Sequence, residues 1–564
     1  MQAISCVAWL SLTKLIANMI LIFLNTLRKN LVIEYLYSLF IIASFSTFIY
    51  RIPIELFSES YDIDIDHEMY FGSRLMIGEL LYTKELHDKL PIVQFLFYIP
   101  ALYKSVLVFK IISIFLVIAS SLMLYFYLRF SFDYFESTIT RNQRYITSLT
   151  SCSIYLSLNS LLFLCHVSTV ASSLLMISTI FCFQQNIIKN KTNNNSSRNI
   201  YYVAALFFES CAISMRPYLF APIISTIFSS LSRDIFISRS LIKSNTTASN
   251  KLKYLLNSFY QILKYLAFLI ICLLILNITP YVFTNNIIHF YDGIRHNLQK
   301  LNPENIEEIF QHQGRIILQL DITLQLQMLC IIIYIINAFL LYSFDKSIMS
   351  KSKKLFINNL FVNVILNILL IEVMILTRHF WPHYLEMFIP FISLGVGYLV
   401  AFTLIGSTTN SQFFGDFNKY FGYIIYTFAL FTGMMSPYQL SHPHLLQLDV
   451  TKKVLEARKL LGLELDFLYV TNMYVHWQLS ESRHGFPHAA NIDHIGRGWW
   501  DKVERTNVLN FPYSREDLCN KLQHSEIHVI FTELNSFSFE CMTQIPQKYK
   551  QEHFNNVYIF SKVY

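Results

Sequence analysis

The sequence predicts an all-α polytopic membrane bundle of about eleven transmembrane helices, with external amphipathic helices and a small C-terminal α/β domain. Three observations predict it. Of the 564 residues 54% are hydrophobic and only 14% charged, whereas soluble domains carry about 25% charged residues. The run from Tyr145 to Ile188 contains no Asp, Glu, Lys or Arg, which is room for two spans of roughly 20 residues hinged near His166. From residue 439 onward the composition turns mixed and polar, as in a water-facing domain.

The first stretch, Ala3 to Leu27, is interrupted by Lys14 and reads as an interfacial helix; it lacks the small-residue cleavage site of a signal peptide. Apolar runs then predict spans at 32–50, 105–128, 144–165, 167–187, 199–214, 217–232, 257–283, 323–344, 357–376, 384–405 and 421–438. Arg28 and Lys29 precede the first span, and Arg129, Arg141 and Arg144 follow the second. Lys189, Lys191 and Arg198 come next on that side, then Arg233, Arg239, Lys243, Lys251 and Lys253, and finally Lys346, Lys351, Lys353 and Lys354. All fall on one face when the spans alternate, so that face is expected to be cytoplasmic, with the chain in the cell (inner) membrane and its N-terminus inside. The net charge of +7 is accounted for by this topology rather than by nucleic-acid binding.

Residues 1–438 are thus read as a transmembrane domain with two external loops, 51–104 and 284–320. Residues 439–564 are read as an extracytoplasmic α/β domain. There, VTKKVLEARKLL (450–461) has helical periodicity and stops at Gly462, while 466–470, 527–531 and 557–560 read as short strands. The nine cysteines show no CxxC or Cys/His spacing, so neither a zinc site nor a disulfide framework is expected. Cys519 and Cys541 alone lie in polar sequence, where they are close enough in chemistry to pair in an oxidising compartment.

The loop after the first span opens with YDIDIDHEMY (61–70) and continues through Arg74, Gly78 and Tyr82 to Asp88-Lys89-Leu90-Pro91. A solvated acidic loop with Asp66 as a helix cap and Glu68 in the first turn is the plain reading. Two further cations stand at expected outer span ends: Arg216 in SMRPY (214–218), and Arg378 in TRHFWPHYLEMFIP (377–390), which also holds His383 and Tyr384. Snorkelling and belt aromatics are the ordinary roles for such residues. Glu209 and Glu372 fall inside expected spans, where a carboxylate needs a partner or a wet cavity; Arg216 and Arg378 are the candidate partners. In loop 284–320, His289, Asp292, Arg295, His296 and His312 lack the i, i+4 histidines of a metal helix; in the tail HGFPH sets His484 and His488 four apart, but the Gly and Pro between them spoil a helix, so zinc is not expected there either.

The order D-x-D-x-E, Y, R, G, Y, DK-x-P in loop 51–104 resembles the first external loop of C-type (GT-C fold) integral membrane glycosyltransferases. That group includes protein O-mannosyltransferases, aminoarabinose transferases and lipopolysaccharide sugar transferases. The basic residue followed by His383-Tyr384 and Pro390 is similar to a second motif of the same families. The resemblance covers roughly residues 32–405. It implies a catalytic aspartate at Asp66 or Asp64, phosphate contacts from Lys89, Arg216 and Arg378, and substrate contacts from Glu68, Tyr70, His383 and Tyr384. It implies a polyprenyl-phosphate sugar as donor, membrane lipids as surroundings, and a glycan, lipid or protein as acceptor. No cofactor or metal is expected, because lysine and arginine can neutralise a monophosphate, although several aspartates in one loop leave a divalent cation open. The chemistry agrees with the setting: a carboxylate takes the acceptor's proton, fixed cations stabilise the departing phosphate, and both belong where the lipid headgroup lies. A secondary transporter or lipid flippase is the main competing expectation and would want ionisable residues near the midplane of paired, broken helices. A non-catalytic scaffold is the third.

Overall fold

The computed structural model describes residues 32–57, 63–76, 78–83, 89–103, 105–135, 141–161, 164–191, 195–216, 219, 248–299, 386–406, 467–470, 529–533, 543, 549–554 and 557–562. Among these the chain is mostly helical: α1 (Val32–Phe57), α2 (Ile63–Met76), α3 (Ile92–Leu102), α4 (Val106–Phe135), α5 (Arg141–Leu161), α6 (Val167–Lys191), α7 (Asn195–Met215), α8 (Ala248–Phe283), α9 (Ile287–Gln299) and α10 (Ile389–Gly406). The stretches read as spans at 32–50, 105–128, 144–165, 167–187, 199–214, 257–283 and 384–405 fall on α1, α4, α5, α6, α7, α8 and α10. The expected spans 217–232, 323–344, 357–376 and 421–438, and the expected helix 450–461, lie outside the described residues.

Two helical stretches, Val106–Phe130 and Leu263–Phe283, are long and apolar enough to cross a membrane, and Val167–Cys182, Ile200–Met215 and Glu386–Gly397 are shorter apolar stretches. The α5 helix is rich in hydroxyls, and three of them are folded back onto the helix: Thr150, Ser153 and Ser160 each donate to the carbonyl four residues earlier at 2.7 Å. Such back-bonding satisfies the hydroxyl within the helix and lets a serine-rich segment be buried.

The chain divides into two compact units: Met1–Glu55, Ser113–Cys272 and Glu304–Tyr438 form the first, and Leu56–Ile112, Leu273–Pro303 and Gln439–Tyr564 the second. In the first, α6 packs along α7 and α10 along α5. The α5–α10 seam is made close by small residues. Ser151 Oγ donates to the Ser393 carbonyl at 2.5 Å, and a Cβ on Gly397 would stand 2.9 Å from Ser151 and from Leu128 Cδ1, the close approach that small residues allow between apolar helices.

In the second unit, α2 packs on α3. Gly72 is the contact point, since a Cβ there would run into the Phe97 backbone carbonyl. Helix α2 then ends in a Schellman turn. Glu79 N–H donates to the Arg74 carbonyl at 3.1 Å and Gly78 N–H to the Leu75 carbonyl at 3.0 Å, with Gly78 at φ +82°, a conformation that glycine adopts without a Cβ penalty. Arg74 Nε reaches Glu79 Oε2 at 2.6 Å and closes the turn. Helix α9 is one-sided: Phe290 is buried, whereas Ile288 and Tyr291 are exposed.

The tail residues described form a four-stranded sheet: β1 (Phe467–Val470), β2 (Val529–Glu533), β3 (Tyr549–Phe554) and β4 (Val557–Lys562), in the order β1-β2-β4-β3. The β1–β2 pair is parallel, and β4 is antiparallel to both its neighbours. Successive strand residues point to opposite faces, and Ile559 and Phe560 of β4 are both buried, so both faces of that central strand are covered. Three strands match the sequence reading. The fourth, β3, has no apolar alternation because it is an edge strand with Lys550 and Glu552 paired at 2.7 Å; charge on an edge discourages pairing with another chain.

Candidate functional site

The acidic decapeptide is helical from Ile63, so Asp64, Asp66, Glu68 and Tyr70 all stand on α2. The buried positions Ile65, Met69 and Gly72 recur at helical spacing and fasten one face to the unit's core. At about 100° per residue, Asp64 stands one turn before Glu68, whereas Asp66 lies about 160° around the helix from it.

Glu68 and Lys89, twenty-one positions apart in the sequence, come together. Lys89 Nζ is 2.6 Å from Glu68 Oε1, with the two side chains 3% and 1% exposed. Taking two charges out of water costs several kcal/mol per ion unless they meet with good geometry, so this pair needs a rigid frame. Gln94 of α3 supplies much of it. Its Nε2 donates to the Phe71 and Glu79 carbonyls at 2.9 and 2.8 Å, and its Oε1 accepts from Leu81 N–H at 2.9 Å. Tyr82 adopts φ +67°, a left-handed conformation uncommon for bulky residues. It is held there from both ends: its hydroxyl donates to the Lys89 carbonyl, and its ring lies where any Cβ on Gly293 of α9 would be. From α8, Tyr281 donates to the Leu81 carbonyl, and Asn277 Oδ1 accepts the Ile92 N–H at 3.0 Å. The segment that delivers Lys89 is therefore clamped by α2, α3, α8 and α9.

Arg216, the second expected phosphate ligand, is 3% exposed at the end of α7. Its Nε donates to Ser168 Oγ at 2.9 Å, and Ser168 N–H donates to His166 Nδ1 at 2.9 Å. The next residue, Thr169, donates to Glu386 Oε2 at 2.8 Å. The Glu386 carbonyl accepts Ser172 Oγ at 2.8 Å. His166 and Glu386, 1% and 0% exposed, were not singled out as site residues by sequence reasoning. The signal for Glu386 was its place two residues after Tyr384 in the HYLE stretch, and for His166 its place at the hinge of the uncharged run. Arg378, His383, Tyr384 and Glu372 lie outside the described residues.

Glu209 of α7 accepts the hydroxyl of Tyr265 from α8, and Cys182 Sγ stands 3.4 Å from the same hydroxyl. Among the described residues, the hydrogen-bond partner of Glu209 is thus a tyrosine. Among the described residues no group of three His, Cys, Asp or Glu side chains is placed to hold a metal.

No protein-family model matches this sequence, and a comparison with curated proteins gives no match.

Proposed function

We propose that the chain is a membrane glycosyltransferase that moves a sugar from a polyprenyl-phosphate donor to an acceptor on the external face. The observation that carries this reading is the buried ion pair between Lys89 and Glu68, the latter on the helix that bears Asp64 and Asp66, in a segment whose motif order resembles the catalytic loop of C-type glycosyltransferases. The unit that holds this pair consists of 56–112, 273–303 and the tail from 439, stretches that hold the expected external loop 51–104 from residue 56, the first part of loop 284–320 and the expected external tail, together with parts of two expected spans. Likewise His166, Arg216 and Glu386, drawn together around the start of α6, come from three span ends assigned to the external side.

In the proposed reaction the acceptor hydroxyl oxygen bonds to the anomeric carbon as the bond from that carbon to the phosphate oxygen breaks. The electron pair leaves with the polyprenyl phosphate, and the acceptor proton passes to an aspartate of α2. Asp64 is favoured as the base by helical register, because it shares the Glu68 side of α2. Lysine has three N–H donors, so Lys89 can meet the donor phosphate while Glu68 holds its ammonium in place. Arg216 and Arg378 are proposed as further phosphate ligands, and Glu68, Tyr70, His383 and Tyr384 as substrate contacts. A transporter or lipid flippase is the competing reading; the buried Glu209–Tyr265 contact between helices favours it, while the acids of α2 would have no task in it.

The test is to incubate purified protein with a panel of radiolabelled polyprenyl-phosphate sugars. Transfer to a membrane acceptor or slow hydrolysis of one of them supports the proposal. An inert panel combined with lipid or solute movement in proteoliposomes supports the transporter.

A further inference from the structure

Three span ends meet at the first turn of α6, and the residues that join them carry opposite charges. Arg216 arrives from α7 and binds Ser168 Oγ. Glu386 arrives from the turn before α10 and takes the Thr169 hydroxyl on its carboxylate and the Ser172 hydroxyl on its carbonyl. Ser168 and Thr169 are neighbours in sequence, so the guanidinium and the carboxylate are fixed to consecutive residues of a single helical turn. Ser168 is further held by its own N–H to His166 Nδ1. All of these residues are at most 3% exposed. A buried guanidinium is costly without an opposite charge in the same low-dielectric surroundings, and a carboxylate gains from the N-terminal turn of a helix such as α6.

We propose that Glu386 is the positioning residue for Arg216. Through Thr169 it fixes the α6 turn whose Ser168 orients the guanidinium, and its negative charge balances that guanidinium until an anion arrives. The inference rests on the reading that Arg216 binds the donor phosphate, and it adds to that reading an acid that never touches the donor. Removing the carboxylate's charge or its hydroxyl anchor then loosens the orientation of Arg216 and weakens anion binding, while an aspartate, which keeps the charge, recovers part of it.

The experiment measures binding of a polyprenyl phosphate, without sugar, to the full chain in nanodiscs. Arg216→Ala is expected to weaken binding by roughly tenfold or more, the loss of one charge-assisted contact. Glu386→Gln and Thr169→Val are each expected to weaken it several-fold, and Glu386→Asp less than Glu386→Gln. In the Arg216→Ala background, Glu386→Gln should have no further effect, because a residue acting only through Arg216 has nothing left to position. Additive losses in the double variant, or unchanged binding in both Glu386→Gln and Thr169→Val, overturn the inference while leaving Arg216 as a phosphate ligand. Unchanged binding in Arg216→Ala overturns the phosphate reading itself. If Glu386→Gln does not fold, the near-isosteric Thr169→Val carries the same comparison, alone and combined with Arg216→Ala.

Discussion

At the scale of single residues, the central feature is the Lys89–Glu68 pair, because it is a buried ion pair and its lysine is the proposed contact of the donor phosphate. Lys89→Ala leaves the Glu68 carboxylate buried without its ammonium, and breaking such a pair costs about 3–5 kcal/mol. Thermal unfolding of the detergent-solubilised variant should show a clear drop. The double variant Lys89→Met with Glu68→Leu should recover much of that stability, since apolar replacements often substitute for buried ion pairs, yet it should still fail to bind a polyprenyl phosphate. Normal binding by the double variant would remove Lys89 from the site. Much of this was legible in the sequence: Lys89 and Glu68 were both picked from the motif order. Their partnership was not, because Lys89 is held through its carbonyl by the hydroxyl of Tyr82, a tyrosine at φ +67°, which residue preferences argue against. The motif order leaves Asp64 and Asp66 both open as the base, and the preference for Asp64 rests on the helical register of α2.

At the scale of elements, the side-chain clamps between helices are the testable features. Asn277 of α8 accepts the N–H of Ile92 in the first turn of α3, an N–H that has no acceptor within its own helix. Asn277→Ala should lower stability by about 1 kcal/mol, the usual effect of losing a helix cap, whereas Asn277→Asp should retain most of it; a thermal melt of the two variants decides. Gly72 is stricter, because its neighbour is the Phe97 backbone, which cannot move aside as a side chain can. Gly72→Ala should therefore destabilise the α2–α3 pair by about 1–3 kcal/mol, and an unchanged melting temperature would refute the close packing. Seven of the apolar runs fall on described helices and three tail strands on β-branched and aromatic runs, whereas α2, α3 and α9 lie in stretches read as loops because they are too short to stand out as spans. The β3 strand was not, since Lys550, Gln551, Glu552 and His553 follow the needs of an edge and carry no core pattern. Glu386 carries no core pattern either, because its burial comes from its contacts with Thr169 and Ser172 of α6, residues more than two hundred positions away.

At the scale of the whole molecule, the proposed function depends on which face of the membrane the tail and loop 51–104 occupy, which the basic-residue asymmetry predicts to be the external one. A reporter active only outside the cytoplasm, fused after Tyr564, should be active, and a cytoplasm-only reporter there should be silent. The reverse result would place loop 51–104 on the wrong side for a lipid-linked sugar and remove the catalytic reading with it. The most direct measurement of that reading is sugar transfer from a radiolabelled polyprenyl-phosphate donor by Asp64→Asn and Asp66→Asn, each scored beside its donor affinity. An amide keeps the size and polarity of the side chain but cannot take the acceptor's proton. Asp64→Asn should lose about 10²–10⁴-fold in rate with donor binding nearly unchanged, and Asp66→Asn should lose far less. Full transfer by both variants would contradict the account, leaving α2 an acidic helix without chemistry.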